Sequence, residues 1–319
     1  MSRIRHVDVP TPSDLHLAHQ VAQKHLVPTP IVRIAEEPGR WLKLESMQPT
    51  GSFKVRGALT ALSAIGTYGR VVTASAGNHA LGVAWASRKL GIPVTIVVAE
   101  NASPLKIEKL RALGADLVLH GASYDEAEAH ALAMAREGAH YLSPYNDTHV
   151  IAGQSTVLDS ILQQIPVTSD PFTIIVPVGG GGLLAGMATR LHQLDGHDHI
   201  TLVGVEAEAS QAVSTSVEAG HTVEIAVGET LADGLAGNVE PGSVTVDIIR
   251  ERRIPMCAVS EDEIRAAIRT LFHEHGVVAE GSAATAFAAM GIIETEDPVV
   301  AVITGRNIAW PTLRDMLDS

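Results

Sequence analysis

Four consecutive glycines, Gly179, Gly180, Gly181 and Gly182, separate an apolar run, Phe172–Val178, from a helical Leu-Leu-Ala-Gly segment. A strand-to-helix turn needs one or two glycines. Four leave every backbone N–H of the turn able to face a single anion at the positive end of a helix, where side chains would block the approach. The chain must therefore hold a strand feeding directly into a helix, and the turn points to a bound phosphate. The surrounding 19 residues, Pro171–Thr189, carry no charge. The glycines in their middle and Pro177 favour strand, loop and helix over a membrane span.

The same alternation recurs along the chain. Strands are predicted at Arg70–Ala74, Pro93–Val98, Asp116–His120, Phe172–Val178, Thr201–Glu206 and Pro298–Ile303. Between them helices are predicted at Gly77–Leu90, Pro104–Leu113, Ser123–Glu137, Gly182–Leu194, Ser260–His275 and Ser282–Met290, the second opened by Ser103 before Pro104. Residues 219–255 are Gly-rich and read as a connecting excursion. The pattern is α/β, two open, twisted, mainly parallel sheets flanked by helices and meeting at a cleft. A small unit, 45–142, is expected to stand against a large one built from 1–44 and 143–319.

Composition narrows the partners. The net charge is -13, and of six lysines none follows Lys109. Nucleic acid is excluded as a partner, because phosphate backbones need clustered cations. A single cysteine, Cys257, allows no intrachain disulfide and fits a reducing compartment. Met1–Gln20 is polar, without the apolar core of a secretory signal. A cytoplasmic protein with no membrane partner, acting on a small molecule, is expected.

The phosphate needs an owner. A Walker loop requires Gly-Lys-Ser/Thr, and no lysine stands here. Gly180-x-Gly182-x-x-Ala185 does fit a dinucleotide fingerprint, with Glu206 where a ribose-binding acid belongs. That reading leaves two other motifs unexplained. In Pro49-Thr50-Gly51-Ser52-Phe53-Lys54-Val55-Arg56-Gly57-Ala58 a lone lysine opens an Ala/Leu helix. An ammonium in an apolar setting, near a helix N-terminus and beside Arg56, would have its pKa lowered and its amine freed for Schiff-base chemistry. A surface lysine at a helix start is the commoner case, however, and the motif alone does not decide. Ser75-Ala76-Gly77-Asn78-His79-Ala80 follows a strand and opens a helix, which suits a carboxylate, although Ser75 or Asn78 could simply cap that helix.

Together SFKVRGA (52–58), SAGNHA (75–80), VIAGQST (150–156), PVGGGGLLAG (177–186), LADG (231–234) and ITGRN (303–307) resemble the fold-type II pyridoxal-phosphate enzymes. The nearest likeness is to threonine/serine dehydratases and serine racemases, with a fold like that of the tryptophan synthase β chain. The resemblance implies that Lys54 carries pyridoxal 5'-phosphate and removes the substrate Cα proton. It implies that Phe53 packs on the cofactor ring and that Asn78 hydrogen-bonds its 3-hydroxyl. Gly179 to Gly182 would hold its phosphate, and the Thr304 hydroxyl would face its ring nitrogen. Ser75, Ala76, Gly77, Asn78 and His79 would form the substrate-carboxylate loop, chiefly through backbone amides. A neutral hydroxyl at the ring nitrogen makes a weaker electron sink than a carboxylate would, which favours prompt loss of a β-hydroxyl. The implied reaction turns a β-hydroxy-L-amino acid into a 2-oxo acid and ammonia.

Departures from the family pattern refine this. Ala76 stands where serine racemases have a second serine, so two-face proton exchange lacks its second base and racemisation is the lesser alternative. Metal-dependent members pair an acid at a strand end with a carboxylate six residues on; Glu206 fits the first position, but Ala212 stands at the second. No metal is therefore expected, Glu206 being the one weak candidate ligand. His197-x-His199 and His273-x-His275 lack partners at closed-site spacing and read as solvated or capping residues. Arg306 replaces a small residue and would suit a substrate with a second acid, such as 3-hydroxyaspartate. Glu280-Gly281 replaces Glu-Pro. The chain stops soon after ITGRN, so feedback control through a C-terminal regulatory domain is not expected. Members are usually homodimers or tetramers, so a homo-oligomer is expected.

Overall fold

The structure, a computed structural model, describes residues 5–35, 37–66, 69–165 and 170–318. In chain order it runs α1 (Pro12–His25), β1 (Ile31–Arg33), β2 (Arg40–Lys43), α2 (Lys54–Ile65), β3 (Arg70–Ala74), α3 (Asn78–Leu90), β4 (Val94–Val98) and α4 (Pro104–Ala112). Next come β5 (Asp116–Leu119), α5 (Tyr124–Arg136), β6 (Ala139–Tyr141), α6 (Thr148–Leu162), β7 (Phe172–Pro177), α7 (Gly182–His192), β8 (Ile200–Ala207) and α8 (Ala212–Ala219). The chain closes with α9 (Val244–Glu251), β9 (Met256–Val259), α10 (Glu261–His273), α11 (Gly281–Ile292), β10 (Val299–Val302) and α12 (Trp310–Asp318). Every predicted strand and helix is present, with ends within two residues.

The strands form two sheets, ordered β1-β2-β10-β7-β8-β9 and β5-β4-β3-β6. All pairings are parallel except β1 with β2. In each sheet the winding reverses once. In the larger one the chain moves outward from β7 to β8 and β9, then returns to lay β10 on the other side of β7. In the smaller it moves from β3 to β4 and β5, then lays β6 on the other side of β3. Loops leaving the carboxyl ends of strands at such a reversal diverge and leave a crevice. The turns after β7, β10, β3 and β6 are therefore the places to look for a site, and they carry the GGGG, TGRN, SAGN and Ser143–Asn146 segments.

Separate apolar clusters cover the two faces of each sheet. With only 3% aromatic residues, the core is built from Ala, Val, Leu and Ile, and helices approach closely at glycines. The central case is α6, buried along nearly its whole length between α2 and α7. A β-carbon on Gly153 of α6 would stand 2.6 Å from the Arg56 carbonyl oxygen of α2, so only glycine allows this crossing. That contact seats α2, and with it Lys54. The VIAGQST motif lies on this helix, which is not among those predicted from sequence and whose amino end is capped by Asp147. α1, likewise unpredicted, is opened by Thr11 and Asp14 as a reciprocal capping box.

Candidate active site

Lys54 is the first residue of α2, and its Nζ donates to the Pro144 carbonyl, 2.8 Å away, just after β6. Desolvation lowers its pKa to about 8, with Glu280 opposing. Arg56 plays no part in this. Its guanidinium turns away from Lys54 and grips the buried Glu45, Nε to Oε2 at 2.7 Å and Nη2 to Oε1 at 2.8 Å. Nη1 reaches Thr156 Oγ1 of α6 at 3.1 Å. The arginine of the SFKVRGA segment therefore anchors the lysine's helix, and burial rather than a neighbouring cation perturbs the amine. Below it Lys43, wholly buried, donates to the Thr29 carbonyl and Ser160 Oγ at 2.6 and 2.7 Å.

The glycine turn is next to this amine through one neighbour. Tyr145, following Pro144, lies against it so closely that a β-carbon on Gly180 would collide with the phenol ring. A β-carbon on Gly182 would come to 2.9 Å from Tyr145 Cα. Gly181, at φ +81, caps α7 in the left-handed region that favours glycine. Among the described residues none accepts a hydrogen bond from the backbone N–H groups of Gly179 to Gly182. The turn is thus a built cradle at the positive end of α7.

The loop after β10 is stitched to the loop before α2. Phe53 N–H donates to the Thr304 carbonyl at 3.0 Å, Arg306 N–H to that of Gly51 at 2.9 Å, and Asn307 Nδ2 to that of Thr50 at 2.9 Å. Thr304 is buried, and Ser52 Oγ is buried without a partner among the described residues. The Phe53 ring centroid lies 5.1 Å from Lys54 Nζ. From the small sheet, Ser75 Oγ accepts from Gly77 N–H at 3.1 Å, forming the turn into α3. Asn78 reaches across the cleft, donating through Nδ2 to Glu280 Oε1 at 2.6 Å and accepting from Asn307 Nδ2 at 2.6 Å.

His79 points the other way. Its Nε2 lies 3.0 Å from Thr73 Oγ1, and burial, followed by the charge of Lys54, lowers its pKa to about 3. Only its backbone faces the loop, and the ring stays neutral. Arg306 is exposed beside Asn307. Two residues that sequence reasoning did not place in the site are central to it: Tyr145, and Glu280, which burial pushes up to about 7. The signal for Glu280 was there, an acid preceding a helix of small residues, but nothing local shows that it crosses to Asn78.

Glu206 is engaged elsewhere. Its two oxygens accept from Val213 and Ser214 N–H at 2.9 and 3.0 Å, so it serves the amino end of α8 as neither a ribose ligand nor part of an acidic pair. No cluster of three potential metal ligands occurs among the described residues.

Residues 22–305 match the profile of the family described as pyridoxal-phosphate dependent enzyme. The chain belongs to that family. It is 38% identical over 280 residues to the L-threonine ammonia-lyase of Geobacter sulfurreducens, an alignment covering 86% of this chain and 68% of that one. Against the L-threonine ammonia-lyase of Thermotoga maritima it is 40% identical over 274 residues, covering 84% and 67%. The fold matches the processed form of threonine deaminase isoform 2 from Solanum lycopersicum with a TM-score of 0.85 at 31% identity, over 99% of this chain and 96% of that one. It matches maize serine racemase with a TM-score of 0.87 at 26% identity, over 98% of each. The chain is a pyridoxal-phosphate-dependent lyase of the ammonia-lyase branch, and the dinucleotide reading of its glycines is set aside. The residues fit that cofactor: an open ring of backbone donors for a phosphate, a desolvated amine beside it, and a buried wall closed by Phe53 and Thr304. No helix is long and apolar enough to cross a membrane, among the described residues.

Proposed function

We propose that this chain dehydrates and deaminates a β-hydroxy-L-amino acid, threonine, serine or 3-hydroxyaspartate, to a 2-oxo acid and ammonia. The observation that carries the reading is the desolvated Lys54 amine, held where loops from both sheets' winding reversals meet. When bound, pyridoxal phosphate supplies an aldehyde that captures the substrate amine and a ring that withdraws electrons from Cα.

The chain's own residues do the rest. Amides of Gly179 to Gly182 and the α7 dipole bind the phosphate, while Phe53 packs on the ring and the Thr304 hydroxyl faces its nitrogen. Ser75 and the backbone of Ala76, Gly77, Asn78 and His79, at the positive end of α3, hold the substrate carboxylate. Lys54, with a pKa near 8, is neutral often enough at neutral pH to take the Cα proton as general base. The resulting ammonium then gives a proton to the departing β-hydroxyl, which leaves as water. The released enamine takes up a proton at carbon, adds water, and yields the 2-oxo acid with loss of ammonia.

Segment 45–142 acts in this reading as a small domain that closes on the larger unit, 1–44 with 143–319, and excludes water. Support comes from Lys106 of α4, whose Nζ lies 3.7 Å from Asp233 Oδ2 across the cleft mouth. The reading includes a cytoplasmic homodimer or larger homo-oligomer. The test is release of 2-oxo acid from L-threonine, L-serine and threo-3-hydroxyaspartate by the purified holoenzyme. Turnover of one of them, lost in Lys54→Ala, supports it. A D-amino acid product without oxo acid would overturn it in favour of racemisation.

A further inference from the structure

The amide of Asn78 is held by a one-way chain of hydrogen bonds that fixes which of its ends is which. The Thr50 carbonyl is an acceptor only, so the Asn307 atom facing it at 2.9 Å is Nδ2. That same nitrogen is 2.6 Å from Asn78, so the Asn78 atom there must be the acceptor Oδ1. Nδ2 of Asn78 is then turned to Glu280 Oε1, at 2.6 Å. Glu280 is itself fixed, because Oε2 accepts from the Asn307 N–H at 2.9 Å, its own N–H donates to the Gly305 carbonyl at 3.1 Å, and any β-carbon on Gly305 would collide with its carboxylate.

A donor count gives the consequence. Both hydrogens of Asn307 Nδ2 are used, one by Thr50 and one by Asn78. Asn78 Nδ2 has two and uses one, on Glu280. A single N–H of known identity is left over. An asparagine free to rotate would present oxygen as readily as nitrogen, because the two ends of an amide are nearly the same shape.

We infer that Asn307 and Glu280 are positioning residues that lock the Asn78 amide so that one N–H remains for the ring hydroxyl of the cofactor. This rests on the reading of Asn78 as that hydroxyl's partner. A hydrogen bond donated to the oxygen favours its ionised form, so the lock lowers the pH at which the bound cofactor's ring oxygen titrates.

The test is the pH midpoint of the holoenzyme's own visible absorbance in four proteins: wild type, Asn307→Asp, Asn78→Ala and the double variant. Asn307→Asp keeps the shape but sets an oxygen against Asn78 Oδ1, so the Asn78 amide loses the donor that fixed its oxygen end and is held by Glu280 alone. Its midpoint should rise by about one to two pH units, the worth of one hydrogen bond to a charged acceptor. Asn78→Ala should show a similar rise, and the double variant no more than either alone. Glu280, with Asp233 and Lys106 beyond it, is retained in all four proteins, but Asn307→Asp adds a carboxylate of its own, so Asn307→Ala, which removes the same donor without that charge, is measured beside it and must show the rise too. A shift in Asn78→Ala with none in Asn307→Asp overturns the lock and leaves the role of Asn78 standing. No shift in Asn78→Ala overturns both. Should Asn307→Asp not fold, Asn307→Ala removes the same donor without adding charge, and an unchanged midpoint there overturns the lock equally.

Discussion

Tyr145 fills the space that a side chain at Gly180 would need. The phenol is held in turn, its oxygen accepting from the Glu240 N–H at 2.8 Å. The Glu240 carboxylate is gripped by Arg5, at 3.0 and 2.8 Å. The shape of the glycine turn is thus set from beneath by residues far away in sequence.

Gly180→Ala should weaken cofactor binding roughly 5- to 150-fold, the usual cost of about 1–3 kcal/mol for overpacking. Adding Tyr145→Ala should recover part of it. Equilibrium dialysis against pyridoxal phosphate measures both, and undiminished affinity in the single variant would show that the turn is not the phosphate site.

The depressed pKa of Lys54 sets the pH dependence of cofactor uptake. Attack on the aldehyde needs the neutral amine. With a pKa of about 8, about a tenth of the apoprotein is competent at pH 7, against well under a thousandth for an ordinary lysine. The rate of reconstitution should climb as the pH approaches 8 and level off above it. A rate still rising tenfold per unit beyond pH 9 would mean that Lys54 is not perturbed.

Removing Arg56 leaves Glu45 buried without its cation. Arg56→Met should cost about 3–5 kcal/mol in denaturant unfolding. In the native protein, burial alone would raise the Glu45 pKa, but Arg56, Lys43 and Thr29 together lower it. Its contribution is therefore complete above the ordinary value of 4.5 and is lost as the pH falls below that toward the folded value. In the variant only burial, Lys43 and Thr29 remain, so the stability deficit should shrink on acidification toward pH 4. A deficit independent of pH would sink this account.

Glu206→Ala should lose about 1–2 kcal/mol, because two amide donors of α8 lose their acceptor. Turnover in the presence of EDTA should match turnover without it. Inactivation by the chelator, reversed by a divalent cation, would place an ion at Glu206 after all.

Much of this protein is readable from short segments. The period of the apolar runs, the caps and the Gly and Pro boundaries mark six of the ten strands and seven of the twelve α-helices among the described residues, since those signals act over a few residues. Lys54, the glycine turn and SAGNHA stand out for the same reason: the chemistry proposed for them needs particular residue types next to one another. α6, buried from Val150 to Ile161, has no exposed face there to set its period apart from the neighbouring apolar runs.

What only the tertiary structure decided is how those segments meet. Each sheet reverses its winding once, and this brings residues 50–54, 75–78, 143–145, 179–182 and 304–307 to one crevice. The sequence contains Arg56 beside Lys54 and Glu206 at a strand end, and local reading gives both the wrong neighbours. Arg56 belongs to Glu45 and Glu206 to α8, while Glu280 belongs to Asn78 across 202 residues of chain. Residue type fixes what a side chain can donate or accept; packing chooses the partner, because a buried charge or amide takes whichever complement the surrounding elements bring within reach.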